Sequence, residues 1–267
     1  MTGFGMKTAL SVLLGVSMLA AGQAPTDATP VLAKAREALG GEKKLVSIRT
    51  LVASGQTRQV RGENLIPIVF EINIELPAKY SRRDETPAVE SGYATTGFSG
   101  DDLIQLPPPT IPAMPAMAAQ MAAQRKARVT TLKQDFARLM LALFAASTDV
   151  FPLTFQKYGT AESPQGKADV ITVTGPNSFT ANFLISQDTH LPVMLSWVPP
   201  SPPARPGVTA PVVPEQRLFF ADYRDAGGVM WPHRIRRAVG ADTVEETTFD
   251  RFKLNAKIDP KKFEVVK

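Results

Sequence analysis

The chain has no cysteine and only two histidines in 267 residues. The first absence excludes disulfides, thiolate metal sites, a cysteine nucleophile and an N-terminal lipid-modified cysteine. The second excludes a histidine-rich metal cluster. Phosphate-cradling glycine loops are also missing, as are a Gly-x-Ser-x-Gly elbow and an HExxH helix. Charge of one sign is scarce: 30 Lys and Arg stand against 25 Asp and Glu, and the two kinds alternate along the chain. A net charge of +5 with that mixing is an ordinary solvated surface, and no nucleic-acid partner is expected. No apolar run reaches the roughly 20 residues of a comfortable membrane span.

The longest apolar run is at the start. Lys7 precedes the segment from Thr8 to Ala21, and Ala20 and Gly22 are small residues spaced for cleavage. This is the pattern of a secretory signal peptide over 1–22, followed by a single domain over 23–267. Gln23 stands where a lipoprotein would carry its cysteine, so a periplasmic or secreted, non-lipidated protein is expected.

An apolar fraction of 44% suffices for a packed core. Thr29-Pro30 reads as an N-cap with proline at the first helical position, and Gly40-Gly41 as the end of that short helix. The clearest strand runs from Ile66 to Leu76, where Ile66, Ile68, Phe70, Ile72, Ile74 and Leu76 alternate with polar residues such as Glu71 and Glu75. Strict alternation means one buried face and one wet face. Thr50–Arg61 is its hairpin partner, and 78–84 and 93–98 continue the pattern. Five prolines between Leu106 and Pro115 impose a loop, and a long helix over about 116–146 follows. Its apolar stripe runs from Met117 and Met121 to Val129, Leu132, Phe136, Leu139, Met140 and Leu143. Arg125, Lys126, Arg128, Lys133 and Arg138 fall off that stripe. Strand patterns resume at 153–158, 169–174, 179–187, 191–198, 216–223, 229–239 and 243–255. A second proline-rich insertion, 199–214, interrupts one hairpin. The predicted fold is mainly β with α. A large curved antiparallel sheet, an unclosed barrel of about ten strands, is covered by one short N-terminal and one long mid-chain helix.

His190 and His233 have Asp188 and Asp222 nearby, but no spacing that builds a metal site or an acid–base pair. Catalytic residues, metals and cofactors are therefore not expected. What is distinctive is apolar. Ile68, Phe70, Ile72, Ile74 and Leu76 on the strand, Met117, Met121 and Phe136 on the helix, and Phe179 and Phe183 opposite are candidates for lining a hydrophobic cavity. Methionine is flexible and polarisable and suits varied apolar ligands.

Several segments carry a resemblance in their order. These are Ala38-Leu39-Gly40-Gly41, the corner Glu75-Leu76-Pro77-Ala78-Lys79-Tyr80, and Asp188-Thr189-His190-Leu191-Pro192. Then come Asp222-Tyr223-Arg224-Asp225-Ala226-Gly227-Gly228-Val229-Met230-Trp231-Pro232 and Asn255-Ala256-Lys257-Ile258-Asp259-Pro260-Lys261-Lys262-Phe263. In this arrangement the chain resembles the periplasmic LolA/LolB-like lipoprotein carriers and outer-membrane lipoprotein-sorting proteins. The resemblance implies an unclosed antiparallel barrel with helices over a hydrophobic cavity, and a lipid or lipoprotein acyl chain as ligand. One position departs: Leu76 precedes the corner proline where the well-known carrier has an arginine that helps latch its cavity. The expected function is thus non-enzymatic binding of an acyl chain, as carrier or sensor. The alternatives are an envelope protein–protein module that docks partners through its proline-rich loops and, further off, a hydrolase of an apolar substrate. An enzyme would need polar groups converging inside the cavity.

Overall fold

The computed structural model describes residues 26–87, 92–108, 115–163, 165–201 and 211–265, with the helical backbone alone for 115–117. The segment expected to be a signal peptide, 1–22, and the middle of both proline-rich stretches lie outside the described residues. Among these residues is one thirteen-stranded sheet, antiparallel throughout. Its first half holds β1 (Thr26–Asp27), β2 (Thr50–Arg61), β3 (Asn64–Glu75), β4 (Lys79–Glu85), β5 (Tyr93–Ser99) and β6 (Asp102–Leu106). The second half holds β7 (Thr154–Ser163), β8 (Gly166–Gly175), β9 (Phe179–Ser186), β10 (Pro192–Trp197), β11 (Gln216–Asp225), β12 (Met230–Val239) and β13 (Asp242–Leu254). β2 to β6 and β7 to β13 are each a meander, β13 pairs with β2 to join them, and β1 adds to the edge at β7. The outermost strands are β1 and β6, which do not pair, so the barrel stays open.

Eleven of the thirteen strands fall on the segments expected from sequence, and the other two were missed for a local reason. β1 is two residues long, and β6 ends where the prolines begin, too short for its alternation to register. Strand β3 follows its pattern: Ile68, Phe70, Ile72 and Ile74 are buried, while Leu65 and Val69 on the other face are exposed. Ile66 is half-buried because the β2–β3 hairpin outruns the core there. Gly55 on β2 is required by close packing, since a Cβ would lie 2.1 Å from the Thr248 carbonyl oxygen and 3.0 Å from the Phe70 ring.

Helix α1 (Thr29–Ala38) starts differently from the expectation. Thr29 is inside the first turn and Ala28 occupies the N-cap. The Asp27 carboxylate receives the Thr29 N–H at 2.9 Å and its hydroxyl at 2.6 Å, so the acid two residues upstream does the capping. Gly40 and Gly41 adopt positive φ and turn the chain out of the helix. A further short helix, α2 (Glu42–Val46), was not legible in the pattern. Helix α3 (Pro115–Phe144) lies across the open sheet against β5, β6, β10 and β12. Its second half buries Phe136, Ala137, Met140, Leu141, Leu143 and Phe144, whereas 118–128 is largely exposed. The Trp231 indole N–H donates to the Leu143 carbonyl at 2.7 Å and fastens the helix end to β12. Aromatic contacts run through the core, with Tyr80, Phe98 and Phe136 mutually packed and Trp231 set between Phe144 and Phe252.

Candidate functional site

A cavity of about 310 Å³ lies between α3 and the concave face of the sheet. Ile72, Leu132, Leu139, Leu218, Phe220 and Phe249 are among its apolar walls. Of the cavity-lining candidates from sequence, Ile72 is on this wall. Leu76 lines a second cavity of about 370 Å³ at the end of the sheet, beside Leu45, Ile48, Met140 and Phe144. Phe70, Ile74, Phe136, Phe179 and Phe183 are buried in the packed core around the first cavity, and Ile68 is buried nearer the hairpin tip. Met121 is half-buried on the thinly covered half of α3, and the Met117 side chain is outside the described residues. A third hollow of about 770 Å³ sits where β6 faces Val150, Phe151 and the β8–β9 turn, under α3.

The central cavity is not the dry apolar slot that the alternation suggests. Arg82, Asp84, Asp135, Arg138, Arg237 and Glu245 also line it, so the converging polar groups that a hydrolase would need are present here. Arg82 on β4 donates to Asp84 at 2.7 Å and to the Thr57 hydroxyl at 3.2 Å, and its guanidinium lies 4.7 Å from the Phe70 ring. Burial pulls this guanidinium down, but Asp84, Tyr80 and Glu245 together hold it above its ordinary value. Arg138 on α3, expected off the apolar stripe, is instead 7% exposed. It donates to Asp135 at 2.8 Å and lies 4.1 Å from the Trp197 ring. Burial pulls Arg138 below its ordinary value against the attraction of Asp135. Burial also pushes the Asp135 carboxyl up, with Arg138 and Arg237 opposing. The Asp135 side chain is itself 63% exposed. Glu245 on β13 accepts from Gln59 at 3.0 Å, and Arg237 on β12 donates to Gln216 at 2.6 Å. Tyr80 completes the wall, its phenol pushed up to about 12 by burial.

These charged residues were missed because a single charge in a strand reads as solvent-facing. Register is the signal that finds them. Arg82 pairs with Ile72 and therefore shares its inward face, and Arg237 pairs with Glu245 one strand over. The histidines lie apart. His190 occupies a tight turn at φ 58°, and His233 is buried with Nδ1 at 3.1 Å from the Trp231 carbonyl and its ring against Phe252. Among the described residues no group of three His, Asp or Glu is placed to hold a metal ion, and no helix is long and apolar enough to cross a membrane.

No protein-family model matches the sequence, and no curated protein matches it. Solved structures do match. A LolA superfamily protein from Nitrosomonas europaea superposes with a TM-score of 0.55 at 14% identity, over 89% of this chain and 97% of that one. A DUF1329 family protein from Desulfovibrio piger gives 0.50 at 8% identity, over 90% and 98%. A putative outer membrane lipoprotein-sorting protein domain from Vibrio parahaemolyticus gives 0.49 at 7% identity, over 89% and 97%. The first two are similar to this chain along nearly its whole described length, and the fold is LolA-like.

Proposed function

We propose that this protein binds the acyl chain of a lipid or lipoprotein between α3 and the concave sheet, as a non-enzymatic carrier or sensor in the periplasm. One observation carries the reading. The open side of an unclosed sheet is bridged by a single long helix, and a cavity with apolar and charged walls lies between the second half of that helix and the sheet. The thinly packed stretch 118–128 borders the neighbouring hollow beside β6, with Ala122 among its lining residues. The LolA superfamily neighbour supports the same reading through its fold.

In this reading Ile72, Leu132, Leu139 and Phe249 touch the chain. Phe70, Ile74, Phe136, Phe179 and Phe183 set the shape of the cavity from behind, and Ile68 does so at the hairpin end. Met121 lies on the exposed stretch of α3 away from this cavity, and Leu76 lines the separate cavity at the end of the sheet. Each methylene taken from water contributes about 0.8 kcal/mol.

The test is displacement of a fluorescent fatty acid from delipidated protein by a series of chain lengths. Affinity is expected to rise by up to about 0.8 kcal/mol per methylene until the cavity is full. Leu139→Trp, which fills the cavity, should weaken binding while circular dichroism stays unchanged. A folded, lipid-free sample that binds no chain of any length would end this reading. Native mass spectrometry of protein purified without detergent, followed by lipid extraction, identifies the cargo. The periplasmic placement has its own test: the exported product should have the mass of a chain cleaved near Gly22, and a full-length, membrane-retained product would overturn it.

A further inference from the structure

The charged groups in the central cavity are unequally satisfied. Each carboxylate there already has a donor: Asp84 has Arg82, Asp135 has Arg138, and Glu245 has Gln59 with Thr247 at 3.4 Å. The guanidiniums are less well served. Nε of Arg138 and Nε of Arg237 are both buried with no hydrogen-bond partner among the described residues. Three guanidiniums and three carboxylates balance in charge, but each guanidinium carries five N–H donors, so the shortage is of acceptors. Buried polar groups are normally paired, and two unpaired donors on arginines that both line one cavity point to an acceptor that comes from outside the chain.

We propose that Arg138 and Arg237 form a subsite for an anionic headgroup, a carboxylate or a phosphate, at the end of the bound acyl chain. Carboxylate and phosphate oxygens match the planar fork of a guanidinium. The two arginines come from α3 and β12, so the headgroup bridges the helix to the sheet. Trp197, stacked on Arg138, fixes the plane of its fork. The walls beyond, Ile72, Leu139 and Phe249, take the first methylenes. The subsite rests on the acyl-chain reading and adds its polarity: the chain is held at its charged end inside the protein.

The experiment compares four probes on the delipidated mature protein: a long-chain fatty acid, the alkyl phosphate and the alcohol of the same chain length, and inorganic phosphate. The acid and the alkyl phosphate are expected to bind on the order of tenfold more tightly than the alcohol. Arg237→Gln and Arg138→Gln should erase that advantage and leave the affinity for the alcohol unchanged. Arg138 is the more buried of the two, so if its variant fails to fold, Arg237→Gln alone carries the test. Equal affinity for acid and alcohol overturns the headgroup subsite and leaves chain binding standing. So does an advantage that survives in the folded arginine variants. Binding of inorganic phosphate with none of the chains would make the ligand a free anion and overturn the assignment. Binding of none of the four removes the acyl-chain reading with it.

Discussion

Ile72 and Ile74 stand two residues apart on the same face of β3, yet a carboxylate would fare differently at each. Ile72 lines the cavity opposite Arg82, where a new acid would find a cation. Ile74 is 1% exposed between Leu51 and Tyr80, with no such partner. Ile74→Asp should therefore cost at least about 3 kcal/mol. Val69→Lys, on the wet face opposite Glu85, should stay within about 0.5 kcal/mol. Thermal melting of the two variants decides the matter, and equal losses would mean the faces are misassigned. Tyr80 supplies a pH dependence. Its folded phenol titrates near 12 while the unfolded one titrates near 10. Above pH 10 the unfolded chain thus holds fewer protons, and stability falls as pH rises through that window, by up to about 2–3 kcal/mol from this group. Tyr223, which burial also pushes well above its ordinary value, adds in the same direction. Tyr80→Phe should flatten the alkaline fall in urea unfolding; an unchanged slope would place the titration elsewhere. At this scale the inward face of β3 was legible from alternation, whereas the inward arginines were not, because charge alone reads as exposure.

Among the elements, α3 and β3 were the most legible, since a helical stripe and a strict alternation both persist over many residues. Elements of five residues or fewer, such as α2 and β6, are too short to show a period, and Asp27 capping from outside α1 depends on where the chain turns. The two halves of α3 should behave differently in hydrogen exchange. Amides over 118–128 are expected to exchange far faster than those over 132–144, and a bound acyl chain should slow the second set, which lines the cavity. Uniform protection along the helix would contradict the unequal packing of its two halves. Trp231→Phe leaves the Leu143 carbonyl without its donor at the buried end of the helix. A loss of about 1–3 kcal/mol is expected in chemical denaturation.

For the whole molecule, the open antiparallel sheet with one long helix across it was legible, because the order of elements and their faces suffices to build it. The contents of the cavity were not. They depend on which strands become neighbours, and β13 beside β2 brings Glu245 to Gln59 from 186 positions away. That pairing also governs how the molecule forms. β2 to β6 and β7 to β13 are runs of hairpins, each closed by a short loop apart from the β10–β11 insertion, while the seam joins residues such as Thr57 and Thr247, whose buried hydroxyls bond at 2.9 Å across 190 residues. Closing so long a loop costs entropy before any contact repays it, so seam formation is the expected rate-limiting step of folding. Thr247→Ala should slow refolding in stopped-flow experiments and leave the unfolding rate nearly unchanged, whereas a change within the β7–β8 hairpin should mainly speed unfolding. The chain thus commits to its native topology late, when two preformed half-sheets meet edge to edge.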